Sequence, residues 1–110
     1  MRWPARLNAI VKRTPRGIRV FLNRITWFEH ICVNHPEVEN CLGDVVKTLE
    51  HPDETYAFRK NRYSFRYFQK RGTFIMLVYR VGRGFGKVKT AYWVVNPYLE
   101  VDGYSRVWPI

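Results

Sequence analysis

The chain has 110 residues, of which 46% are hydrophobic and 16% aromatic, and its nineteen Lys and Arg against nine Asp and Glu give a formal charge of +10. This length holds one domain with a modest core and leaves no room for a separate regulatory domain, while the apolar content excludes a chain unable to bury a core. The longest unbroken apolar run, Phe74 to Tyr79, falls far short of the roughly 20 residues of a membrane-spanning helix, and two cysteines, Cys32 and Cys41, do not make a secreted disulfide framework.

In chain order, residues 1–17 read as a basic, partly disordered N-terminal arm. Seven basic residues and no acid occupy residues 1–24, and Pro4 and Pro15 interrupt any helix. The arm is Arg-rich like a transit peptide, but no apolar signal core follows, so a cytoplasmic location is expected. Gly17 to Leu22 reads as a short strand, with Ile18 and Val20 alternating around Arg19. Thr26-x-x-Glu29 has a capping-box pattern that opens a helix, and Pro36 ends it by His35. At 100° per residue His35 falls inside the apolar arc of Trp27, Phe28, Ile31 and Cys32, and His30 falls on its border. Pro36 then starts a second helix, whose stripe of Val38, Leu42, Val45 and Leu49, flanked by Cys41 and Val46, ends near His51.

After Pro52 the pattern changes to period 2. Thr55 to Arg59, Arg62 to Gln69, Thr73 to Val81 and Lys87 to Val95 read as strands joined by short turns, hence antiparallel hairpins. The run Phe74 to Tyr79 is apolar on both faces and belongs at the centre of the sheet. Residues 96–110 read as an irregular C-terminal tail. The expected fold is α+β: a short N-terminal strand and two helices, followed by an antiparallel β-meander of three to four strands over residues 18–95.

Charge is segregated along the chain. Residues 25–54 hold seven acids against Lys47 alone, and residues 55–90 hold ten basic residues and no acid. Two basic blocks around an acidic one point to a basic face suited to phosphates, and thirteen of the nineteen cations are Arg, whose planar fork fits phosphate well. Alternation puts Arg62, Ser64 and Arg66 on one strand face, turned away from the core, and Tyr63, Phe65 and Tyr67 on the other. Gly82-Arg83-Gly84-Phe85-Gly86-Lys87 lacks the spacing of a phosphate-binding P-loop, and Lys87 stands where an RNA-recognition motif needs a stacking aromatic. A glycine-rich hairpin turn accounts for it.

No nucleophile motif or carboxylate pair is present, and the His and Cys residues lack the spacing of a zinc site, so neither metal nor cofactor is expected. His, Arg, Tyr and Thr remain. Ribonucleotide cleavage can run on these groups, because the 2′-hydroxyl is an internal nucleophile that needs only a base, an acid and charge stabilisation.

Thr26-Trp27-x-x-His30-Ile31, then His35-Pro36-Glu37, Pro52-Asp53 and finally Lys89-Thr90-Ala91-Tyr92 resemble, in that order, the phage-associated nucleases of the barnase/EndoU/colicin/RelE-like (BECR) group over roughly residues 18–95. The resemblance implies helices followed by an antiparallel sheet, metal-independent RNA cleavage, often as a toxin, and an antitoxin or immunity protein as partner. Carried over, it points to His30, Arg62, Arg66, Thr90 and Tyr92 as the catalytic set. His30 would transfer the proton, the two arginines would hold the phosphate, and Tyr92 or Thr90 would complete the site. Arg59, Lys60, Lys87 and Lys89 are the expected contacts to nucleic acid. The alternatives are a non-catalytic nucleic-acid-binding module and a phage or protein-interaction domain.

Overall fold

Period-2 apolar sequence folds into one seven-stranded mixed sheet in the computed structural model, which describes residues 1–110. In chain order the elements are β1 (Ala9–Arg13), β2 (Arg19–Asn23), a helix α1 over residues 24–34, a 3-10 turn (Pro36–Val38), α2 (Leu42–Glu50), β3 (Glu54–Phe58), β4 (Asn61–Phe68), β5 (Thr73–Val81), β6 (Phe85–Val94), α3 (Pro97–Glu100) and β7 (Ser105–Trp108). Across the sheet the strands run β1-β2-β6-β5-β4-β3-β7. The stretch from β3 to β6 is the expected antiparallel meander. The α+β class is as expected, but the sheet is larger, and β2 joins β6 in parallel. That pairing is close: a Cβ on Gly86 would lie 3.2 Å from both Val20 and Tyr79, so the position favours glycine.

The inner face of the sheet carries the main core. Leu77 of β5 pairs with Ser64 and Ala91, and Tyr79 with Arg62 and Val88. Ile75, Leu77 and Ala91 are fully buried there with Trp27, Ile31, Val45 and Leu49 of the helices. Burying each Leu or Ile contributes about 1.5–3 kcal/mol, so this layer is the main source of stability. The α2 stripe packs as its spacing predicts, although the chain from Pro36 is a 3-10 turn and then α2 rather than one continuous helix.

Helix α1 departs from its expected form. Its middle, Trp27–Ile31, is a π-helix between α-helical turns Arg24–Thr26 and Cys32–Asn34. The capping box does not form, because Thr26 is itself helical and the chain enters the helix at Asn23. The wide turn buries both Trp27 and Ile31 and leaves Phe28, Glu29 and His30 exposed.

The outer face holds a smaller cluster of Phe65, Met76, Val78 and Val101, with Tyr63, Tyr92 and Tyr104 packed around it. Residues 96–110 are therefore not irregular. Helix α3 and Val101 cover this cluster, and β7 extends the sheet beside β3. Glu54 fastens the cover by accepting hydrogen bonds from the Tyr56 and Tyr98 hydroxyls. Residues 1–17 likewise are not a free arm. Ala9 to Arg13 pair with Asn23 to Arg19, and Ile10 enters the core. The turn between β1 and β2, near one edge of the sheet, reaches the strand at the other edge through an Arg16 Nη1 donation to the Val107 carbonyl (2.9 Å).

Candidate nucleic-acid interface

Arg62 and Arg66 lie on the inner face of β4, on the side of the helices, not turned away from the core. Alternation fixes which residues share a face but not which face the helices cover. Arg66 donates to the His51 carbonyl at 2.7 Å, a position at the C-terminus of α2 where a cation also complements the helix dipole. Arg62 donates to the carbonyls of Arg59 (2.9 Å) and Asn61 (3.0 Å). Thr90 and Tyr92 stand on the outer face, opposite Val78 and Met76. His30 is exposed on α1, with its Nδ1 3.2 Å from the Asn34 amide. The five residues expected to form a catalytic set thus occupy three separate surfaces.

The histidine that meets Tyr92 is His35. Their rings stack with centroids 5.2 Å apart and planes inclined by 30°. His35 ends α1 in a non-helical conformation ahead of Pro36, and its Nδ1 lies 3.4 Å from a Glu37 carboxylate oxygen. Burial, then the charge and hydrogen bond of Glu100, push the Tyr92 phenol up to about 12. At neutral pH this phenol is a hydrogen-bond donor, not a base.

The expected nucleic-acid contacts converge better. The β3–β4 and β5–β6 turns lie at the same end of the sheet, tied by the Val81 amide donating to the Lys60 carbonyl (2.8 Å). Arg59 takes a left-handed conformation (φ 55°) to make the first turn, and Gly84 (φ 78°) shapes the second. Two adjoining depressions of about 200 and 350 Å³ share Lys60, Val81 and Gly82. Arg80, Lys87 and Phe85 complete one; Arg59, Arg62 and Arg83 complete the other. No acid lines either. Arg59 lies over the Phe58 ring (5.3 Å) and Lys87 over Phe85 (6.0 Å), and both rings are exposed. Phe85 also packs edge-on against Phe21 of β2 (5.7 Å).

Arg59, Lys60 and Lys87 are therefore brought together. Lys89 is not: it is the extra residue at a β6 bulge between Val88 and Thr90, exposed but lining neither depression. Sequence reasoning missed Arg80, Arg83 and Phe85. A signal was available, because Arg80 flanks, and Arg83 sits within, the same glycine-rich turn as Lys87; in the structure the hairpin sets Arg80 directly opposite Lys87, and like charges across a strand pair destabilise it. No family model, curated protein or solved structure matches the chain.

Proposed function

We propose that this protein binds single-stranded nucleic acid, RNA in the first instance, along the basic end of its sheet. The observation that carries the reading is the cluster of six cations, Arg59, Lys60, Arg62, Arg80, Arg83 and Lys87, around two adjoining depressions with no acid in their lining. A cross-strand Arg80–Lys87 pair without a counter-charge makes sense if phosphates supply it. The exposed rings of Phe58 and Phe85 beside these cations offer flat apolar surfaces on which unpaired bases stack. Fluorescence anisotropy with a labelled uridine oligonucleotide over a salt series tests this. If all six cations neutralise phosphates, the slope of log K against log salt is about −4, and each Arg→Ala or Lys→Ala change removes about 0.7 of it. Affinity that does not change with salt would refute the reading.

Metal-independent RNA cleavage is the second reading, favoured by the imidazole–phenol contact of His35 and Tyr92. Thr90 and Tyr92 share the outer face with Arg80 and Lys87, so a strand bound at the basic end can continue toward them. In this form of the expected nuclease, His35 takes the proton-transfer role first assigned to His30. A toxin's antitoxin or immunity protein would have to be acidic to cover this end. Incubation with labelled RNA in excess chelator decides between the readings. Cleavage that falls by roughly 10²- to 10⁴-fold in His35→Ala and persists in His30→Ala supports the enzyme. Intact RNA that is bound in a salt-dependent manner leaves the binding module.

A further inference from the structure

Beside the basic end, on the inner face, lies a recess of about 160 Å³ lined by Thr14, Arg16, Thr55, Arg62, Tyr79 and Trp108, among others. It exists because the sheet curls: the β1–β2 turn reaches β7, and Arg16 is fixed there through one Nη to Val107. The lining includes the buried hydroxyl residues Thr55 and Tyr79, with Ser64 bonded to Thr55 behind the wall. Thr55 is 4% exposed, Ser64 1% and Tyr79 3%, and the Thr55 and Ser64 hydroxyls stand 2.7 Å apart. Burial pushes the Tyr79 phenol up, against the opposing pull of Ser64, Arg62 and Arg16. Both guanidiniums give Nη1 to backbone carbonyls and retain N–H groups with no protein acceptor. No carboxylate lines the recess. A purely structural recess would cost less with one arginine or with a neutralising acid, so two guanidiniums with spare N–H groups lining one recess are matched to an anion from outside.

The space equals about five water volumes, room for a phosphate group but not for a nucleotide with a neighbour on each side. Arg62 lines both this recess and the open basic depression. We propose that the recess is a phosphate-monoester site and that, resting on the nucleic-acid reading above, it holds the terminal phosphate of a strand bound at the basic end. Trp108 supplies an apolar wall for the adjoining sugar or base.

The test compares uridine oligonucleotides of one length carrying a 5′-phosphate, a 3′-phosphate or hydroxyls at both ends, with uridine monophosphate as the free-nucleotide probe. One phosphorylated end should bind roughly tenfold or more tightly than the hydroxyl form, as a charge-assisted pair of hydrogen bonds allows. Arg16→Ala, in an exposed turn outside the six-cation cluster, should abolish that preference without changing the affinity for the hydroxyl strand. Tyr79→Phe keeps the ring in the core and should reduce the preference. Equal affinity for phosphorylated and hydroxyl ends, with no stabilisation by uridine monophosphate, overturns the proposal while leaving strand binding intact. Stabilisation by uridine monophosphate without any end preference overturns the strand-end assignment and makes a free nucleotide the ligand. No salt-dependent binding of any strand overturns both this proposal and the reading on which it rests.

Discussion

Two tyrosines on the outer face have phenols far from their ordinary value of 10.0: Tyr92 through burial and then Glu100, and Tyr98 through its hydrogen bond to Glu54, each pushed up to about 12. Between pH about 10 and about 12 the unfolded chain has released these protons and the folded chain has not. The folded state then binds more protons, so stability is fully present below pH 10 and is lost as pH rises through that window. Urea titrations at successive alkaline pH values should show this loss, and Tyr92→Phe and Tyr98→Phe should each flatten it. The histidines separate at the same scale. His35→Ala removes a stacked ring pair and should cost about 0.5–1.5 kcal/mol in denaturant midpoint analysis, while His30→Ala, on an exposed turn, should stay within about 0.5 kcal/mol. A larger loss for His30→Ala would mean that this imidazole packs against the fold in solution.

Deleting residues 1–13 tests the least expected strand. It removes all five β1–β2 pairings and the burial of Ile10, so the thermal midpoint should fall by an amount worth at least about 2 kcal/mol, whereas a disordered arm could be cut without loss. Strand β1 was hard to read because only Ile10 of its five residues is buried, and its partner strand decides that burial. The same holds for β7, two of whose four residues are exposed. By contrast β5 runs from Thr73 to Val81 as its pattern predicts, since an apolar run on both faces has no other stable place than the middle of a sheet. The α2 stripe was legible for a similar reason: its spacing alone aligns the buried residues. The turn bearing Arg59 and Lys60 was legible from hairpin spacing, and the turn beside Lys87 from its glycines. The facing of Arg62 and the exposure of His30 were not. One depends on where the helices land across the sheet, and the other on a π turn that breaks the 100° rule.

At the scale of the molecule, charge is separated between regions of the fold: the acids of residues 25–54 belong to the helical segment and the start of β3, and the cations of residues 55–90 to the rest of the meander. Such separation raises the potential at the basic end above what +10 spread evenly would give, and it speeds encounter with polyanions at low salt. It also strains the free protein, since Arg80 and Lys87 face each other with no acid lining the depression they share. Stability and binding should therefore move in opposite directions when one of them is neutralised. Lys87→Thr keeps a strand-forming residue, removes the repulsion, and should stabilise the unliganded protein by about 0.2–1 kcal/mol at low salt. The same change should weaken oligonucleotide binding and take about 0.7 from the salt slope. Lys47→Thr, at an exposed position on α2, is the control and should leave the slope unchanged. Thermal melts and anisotropy on the same preparations check both arms. If Lys87→Thr lowers stability and leaves binding intact, the lysine serves the fold, and the basic end has to be explained without phosphate.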